Sequence, residues 1–407
     1  MPHDHLSLPI ILDYYLARLA GWLRPRRPAR AGSPKRPTEP GISVVIPSRS
    51  GRDLLAAQMP GISRELEPFA GEVIVVDNGS DDGTAEWLRS AWPRTRVDLS
   101  DAPLSFARAV NRGIALARFS HVCLLNNDML VEPRFFHALR QPFDETPGLF
   151  CATAQIRFPA GVRREETGKA VMAQSSPADF PVRCDEPLPG EDGTYVLYGS
   201  GGCSLYDADK LRDLGCVDEV YEPAYVEDLD LGYRAWQRGW PTVYAAGAVV
   251  EHRHRATTRR YYTEEQLDTV LEVNYLKFLA RAVARRKVFG RLWKQALNRL
   301  RFHAQQPSAR AALRAAAGIA WSGGPPAQPD YSEELFLALT SGSVALFPGS
   351  ANEARACIVQ TAQTEAPPAE LLDAYREVVV VRQGEPAAFQ AARDWTRRKW
   401  QGRVEER

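Results

Sequence analysis

Four short runs of β-branched and aliphatic residues occur between residues 43 and 125: Ser43-Val-Val-Ile46, Glu72-Val-Ile-Val-Val76, the weaker Arg96-Val-Asp-Leu99 and His121-Val-Cys-Leu-Leu125. Between them lie stretches with helical patterning, from Arg52 to Leu66, Gly83 to Ser90 and Ser105 to Ala117. The runs are continuous in hydrophobicity rather than alternating, so each strand must be covered on both faces. Strands of that kind alternating with helices predict a parallel α/β sheet. Such sheets bind ligands beyond the carboxyl ends of their strands. The residues that follow each run are therefore the first to inspect.

They are polar in three cases. The first run ends in Pro47-Ser48-Arg49, the second in Asp77-Asn78-Gly79-Ser80-Asp81-Asp82-Gly83-Thr84 and the fourth in Asn126-Asn127-Asp128. Asp77 could accept from a base or ribose, while Ser80 and Thr84 could cap the next helix and leave N–H groups for a phosphate. The same residues also suit an ordinary turn. Asp128, at a strand terminus, is placed to hold a hard cation together with substrate phosphates. Its other reading is a cap for a helix beginning near Pro133.

Further along, Tyr198-Gly-Ser-Gly-Gly-Cys-Ser-Leu-Tyr206 precedes a helix expected from Ala208 to Leu214. Small residues there let a ligand approach the backbone, or simply make a tight turn. Glu227-Asp228-Leu229-Asp230 opens a helix that runs to Gln237. Carboxylates at a helix start stabilise it through the dipole, and one of them could serve as a general base. Val249-Val-Glu-His252-Arg-His254 ends an apolar run in histidines, which could complete a metal site begun by Asp128 or lie at the surface.

Taken in order, IPSRSGR, VVDNGSDDGT, FARAVNRG, LLNND and GGCSLYDADKLRDLG followed by VEDLDLGYRAWQRG resemble the family 2 glycosyltransferases, from about Ile42 to His254. The resemblance implies an inverting enzyme of GT-A fold: an α/β protein with a Rossmann-like mixed sheet. It assigns Pro47, Ser48, Arg49, Asp77, Asn78, Arg108, Asn111, Gly113, Asn127 and Asp128 to the nucleotide-sugar donor. Gly201 and Gly202 fall in the acceptor and sugar region, Asp228 with Glu227 supplies the base, and Asp128 with His252 would hold Mn²⁺ or Mg²⁺. Arg49 and Ser50 stand where the family often has Tyr and Asn, and Asn126 replaces the first acidic residue of the metal motif. The GGFDE pattern reads Leu214-Gly-Cys-Val-Asp-Glu219.

Charge describes the remainder. The 51 Lys and Arg nearly balance 50 Asp and Glu, but residues 1–40 carry +4 and residues 274–328 carry +11 without a carboxylate, which leaves −14 elsewhere. An acidic body with two basic attachments speaks of partners. Residues 1–40 read as an amphipathic helix over Leu6 to Leu23 and a basic linker; the helix lies either on an anionic membrane or on the protein itself. Residues 41–255 form the transferase domain, 256–322 a basic helical extension and 330–407 a small α/β unit with no recognisable site. No motif for nucleic acid accompanies the basic stretch.

The six cysteines have no metal-ligand spacing and read as reduced thiols, and neither a secretory signal nor a membrane span is visible. A cytoplasmic enzyme is expected, peripheral at the inner face of the membrane, acting on a lipid-linked glycan or polysaccharide precursor. The competing class is an inactive nucleotide-sugar-binding scaffold of the same fold. A nucleotidyltransferase would need a Gly-rich loop after the first strand, which IPSRSGR is not.

Overall fold

The computed structural model describes residues 8–25, 32, 37–146, 148–159, 169–172, 178–185, 192–238, 240–253 and 260–324, and beyond these 356–361, 366, 369 and 377–382. After helix α1 (Leu8–Trp22) the chain alternates as its sequence requires: β1 (Glu39–Ser48), α2 (Arg52–Leu66), β2 (Gly71–Asn78), α3 (Thr84–Ala91), β3 (Arg96–Ser100), α4 (Phe106–Leu116) and β4 (Phe119–Leu125). Next come the short β5 (Met129–Val131), α5 (Phe135–Glu145) and β6 (Cys151–Arg157). A small antiparallel pair, β7 (Lys169–Met172) with β8 (Val182–Asp185), leads to β9 (Tyr195–Val196) and β10 (Cys203–Asp207). Then follow α6 (Ala208–Asp213), α7 (Glu227–Gln237) and β11 (Thr242–His252).

These strands build one nine-stranded sheet ordered β3-β2-β1-β4-β10-β6-β11-β5, with β9 also paired to β11. The first four are parallel, as the alternation predicts, and β10 enters antiparallel beside β4, making the sheet mixed. Strand order reverses at β1, whose neighbours are β2 and β4, and a crevice opens at such a switch point. Register brings the polar ends level: Ser48 lies opposite Asp77.

The continuous hydrophobicity has the expected cause. Val44 and Ile46 pack with Leu55, Met59 and Ile62 of α2 on one face, while Val45 packs with Ala107, Val110 and Ile114 of α4 on the other. Gly113 lets α4 sit this close, since a Cβ there would fall 2.2 Å from Val45 Cγ1. Cys123, Cys151, Cys203 and Cys216 carry buried thiols.

The basic extension is three helices, α8 (Glu264–Ala282), α9 (Arg286–Phe302) and α10 (Pro307–Ser322). Its apolar core is continuous with Tyr198, Tyr221, Leu229 and Tyr233 of the sheet region. Helix α1 docks on it: Tyr14 donates to Asn298 Oδ1 at 2.7 Å and Trp293 donates to the carbonyl of Ala17 at 3.0 Å. The sequence pattern places the apolar residues of this helix on one side, whereas the structure buries only Tyr14, Ala17 and Gly21 and leaves Leu16, Leu19, Trp22 and Leu23 exposed. No helix among the described residues is long and apolar enough to cross a membrane. In the C-terminal unit β12 (Ala356–Thr361) pairs in parallel with β13 (Glu377–Arg382). The expected strand at Val344–Phe347 and the expected helices lie outside the described residues.

Candidate active site

A cleft of about 300 Å³ opens at the switch point, where the ends of β1, β4 and β11 meet the start of α7. Pro47, Ser48 and Arg49 line it from β1, Asn126, Asn127 and Asp128 from β4, and His252 from β11. Gly201, Gly202, Glu227, Asp228 and Asn78 complete the set that the sequence brings there.

The loops are wired to each other by the polar residues themselves. Asn127 donates to Ser48 Oγ at 2.9 Å, and the Asn126 N–H donates to the Gly202 carbonyl at 2.8 Å. Gln58 of α2 donates to the Met129 carbonyl at 2.7 Å, which fixes the turn holding Asp128. The DNGSDDGT loop serves mainly as acceptor: Ser80 Oγ receives the Ser50 N–H at 2.8 Å, and Asp82 receives those of Arg52 and Thr84 at 2.9 and 3.1 Å. Burial opposes the charge of Asp82, but the hydrogen bonds from Thr84 and Arg52 outweigh it and hold this carboxyl below its ordinary value. Neither Ser80 nor Thr84 caps α3, whose N-cap is Gly83 in the left-handed region.

Four residues of the expected donor set do not line the cleft. Asp77, 1% exposed, accepts the Ser80 N–H at 3.2 Å and shapes the turn. Asn111 exchanges hydrogen bonds with the backbone of Val217 and also donates to Glu219. Arg108 pairs with Glu219 and Glu222 at 3.6 and 3.2 Å, and Gly113 is the packing glycine beneath β1.

The three carboxylates of 227–230 separate into three situations. Asp230 is buried, accepting from Arg234 at 2.7 Å and from the Tyr221 hydroxyl at 3.1 Å, a structural pair. Glu227 is buried, and among the described residues its Oε2 has no hydrogen-bond partner; burial, then the charge of Asp228, pushes its carboxyl well above the usual range. Asp228 is half-buried at the cleft wall, accepting the Gly201 N–H at 3.3 Å on Oδ2 and the Leu229 N–H at 2.8 Å on Oδ1.

An unusual backbone aims this helix start. Tyr225 and Val226 both take positive φ, 73° and 76°, a conformation that costs a β-branched residue free energy. Helix α8 holds them there, since Asn274 donates to the carbonyls of Ala224 and Tyr225 at 2.9 and 3.1 Å and Lys277 to that of Val220 at 2.8 Å. Arg281 adds an ion pair to Asp218 at 2.9 Å. The basic extension is thus part of the machinery that places Asp228.

Opposite lies the pair Asp128 and His252, with Oδ2 and Nε2 3.5 Å apart. Antiparallel pairing of β11 with β5, which sets His252 against Met129, brings the imidazole beside the aspartate. Asp128 does not cap a helix; it precedes β5, and the N-cap of α5 is Arg134. Its Oδ1 is buried without a hydrogen bond among the described residues. One carboxylate and one imidazole suit a divalent cation whose remaining ligands are diphosphate and water, and the buried bare oxygen fits that use. Among the described residues no third His, Cys, Asp or Glu joins them, and His254 lies outside that set.

The motifs missed one wall. Tyr261, Tyr262 and Leu267, from the segment after β11, close the cleft, and the Arg49 guanidinium stacks 3.7 Å from the Tyr261 ring centre. Arg260 ties that segment to the Ser50 carbonyl and, at 3.2 Å, to Asp53. The Tyr261-Tyr262 pair is the only local signal, and its meaning depends on a contact some 200 residues away.

Residues 40–267 match a family model described as "Glycosyltransferase like family 2". The N-acetylglucosaminyl-diphospho-decaprenol L-rhamnosyltransferase of Mycobacterium tuberculosis is 29% identical over 46% of this chain and 68% of its own length. The validoxylamine A glucosyltransferase of Streptomyces hygroscopicus subsp. jinggangensis is 27% identical over 67% of this chain and 69% of its own. A longer relative is spanned to only 27% of its length. Among solved structures, GalNAc-T7 with UDP, GalNAc and Mn²⁺ superposes with a TM-score of 0.48 at 17% identity, over 58% of this chain and 47% of that one.

Proposed function

The chain belongs to glycosyltransferase family 2, and from that premise we propose that it moves a sugar from a nucleoside-diphosphate-sugar to an acceptor hydroxyl with inversion at the anomeric carbon. One observation carries the reading: Asp228 and the Asp128–His252 pair line the same small cleft at the sheet's switch point. Asp228 takes the acceptor's proton as that oxygen attacks the anomeric carbon from the face opposite the diphosphate. The bond to the diphosphate breaks as the new one forms, and the leaving group departs with the electron pair. A divalent cation held by Asp128 and His252 would offset charge on the diphosphate, which grows in the transition state.

Pro47, Ser48, Arg49, Asn78, Asn127 and Asp128 contact the donor in this proposal, with Asp77, Arg108, Asn111 and Gly113 fixing the loops behind them. Gly201 and Gly202 admit sugar and acceptor to the backbone, and a side chain at Gly202 would displace Asn126, since a Cβ there would fall 2.5 Å from Asn126 Nδ2. The printed name of the Mycobacterium tuberculosis relative favours a lipid-linked acceptor. The buried thiols fit a reducing compartment such as the cytoplasm.

A panel of nucleoside-diphosphate-sugars with Mn²⁺ or Mg²⁺, read by thermal shift and by release of nucleoside diphosphate, tests the proposal. At least one donor should raise the melting temperature and be turned over. A shift without turnover across the panel, with lipid-diphosphate acceptors present, would instead favour a binding scaffold.

A further inference from the structure

Helix α1 is apolar on two opposite sides. One side, with Tyr14, Ala17 and Gly21, packs against α9 and α10. At 100° per residue, Leu8, Leu12, Tyr15, Leu16, Leu19 and Trp22 fall within an arc of about 120° on the other. All six are exposed, from 47% at Leu16 to 78% at Leu8, and Trp321 of the adjoining α10 is 62% exposed. A monomer rarely offers water a contiguous apolar face of this kind without a use for it.

A cavity of about 880 Å³ borders that face, between the C-terminal end of α1 and the start of α9. Among the described residues six cationic side chains line it, Arg18, Arg24, Arg285, Arg286, Lys287 and Lys294, and no carboxylate does. Trp22 belongs to both the cavity and the apolar face. Arg24 has structural work, donating to the carbonyls of Leu279, Ala280 and Val283 at the end of α8 and stacking 3.7 Å above Phe289. Arg18, Arg286, Lys287 and Lys294 are exposed, and among the described residues they form no ion pair. Three of the six cations sit at the start of α9, where no side chain caps the helix and the dipole disfavours positive charge. Helix stability does not account for them there.

We propose that this end of the molecule is an interfacial docking surface for an anionic phospholipid bilayer. The headgroup phosphates enter the cationic cavity while the apolar arc of α1 sinks to the acyl boundary with its axis parallel to the surface. The charge of the cavity decides between occupants: a second copy of this chain would bring the same cations to the contact, whereas anionic headgroups complement it. The inference does not depend on the transfer reaction.

Cosedimentation of the full chain with vesicles of phosphatidylcholine, alone and mixed with phosphatidylglycerol, tests it. Mixed vesicles should bind and neutral ones should not, with binding weakened by salt. Arg286→Gln with Lys287→Gln should reduce partitioning about 30-fold, at about 1 kcal/mol per basic residue near the surface. Leu12→Glu with Leu19→Glu should abolish it, and neither exposed double variant should lower the melting temperature or lose the donor shift. Equal binding to neutral vesicles, or unchanged binding of both variants, would overturn the proposal. So would competition by inorganic phosphate beyond that of sodium chloride at matched ionic strength, which would indicate a site for free phosphate. A lipid-free dimer that Leu12→Glu with Leu19→Glu dissolves would point to a second copy instead.

Discussion

Two helix starts in this molecule carry opposite charge. Helix α7 opens with Glu227, Asp228 and Asp230, and α9 with Arg285, Arg286 and Lys287. Both ends present free N–H groups and the positive pole of a helix dipole. At α7 the dipole welcomes carboxylates, so stabilisation and chemistry ask for the same residues and sequence alone cannot separate them. The surroundings separate them: Asp230 is consumed by Arg234 and Tyr221, Glu227 is buried with its carboxyl pushed up by that burial, and Asp228 is left at the cleft. At α9 the dipole works against the cations, so their placement needs a reason outside helix stability.

The largest test of this contrast is Asp228→Asn, which should lower kcat by about 10² to 10⁴ while the melting temperature holds. Asp230→Asn should do the reverse in kind, costing about 3 kcal/mol in denaturant unfolding because it takes the charge partner from the half-buried Arg234 guanidinium. Glu227→Gln should keep substantial turnover and change the pH dependence of stability. The folded-state carboxyl of Glu227 is raised, so wild-type stability is fully present below the ordinary carboxylate value and is lost as pH rises toward the folded value. The Gln variant should therefore gain on wild type in melting temperature as pH rises above the ordinary carboxylate range. Smallest is Arg286→Glu, which should stabilise the fold against unfolding by about 0.3 to 1 kcal/mol through the dipole, in the absence of lipid. A loss of stability there would mean that Arg286 supports the fold, and the contrast would fail.

Much of the first half of the fold was legible because both strand faces are apolar. Runs such as Val44-Val45-Ile46 left no choice but a covered sheet, and α2, α4 and α7 begin within a residue of their expected starts. The mixed sheet owes its reversal to β10, a short strand whose direction depends on pairing with distant β4. At the site, the strand-end motifs placed Ser48, Asn127, Asp128 and His252 together, because register makes strand ends level. They also drew in Asp77 and Asn111, whose side chains turn to backbone partners behind the cleft. No local pattern could foretell Tyr261 against Arg49, or Asn274 holding the turn before α7, since both are contacts made by the extension folding back. Likewise α1 reads as either docked or membrane-facing, and in the structure it is docked by one side with the other exposed.

The central claim is that Asp228 does chemistry that its neighbours do not. For wild type, Asp228→Asn and Glu227→Gln, donor-induced thermal shift and nucleoside diphosphate release can be measured together with a donor and acceptor that the enzyme turns over. All three proteins should show the donor shift, with Asp228→Asn alone losing at least about a hundredfold in turnover. Full turnover by Asp228→Asn, or an equal loss in Glu227→Gln, would contradict the account.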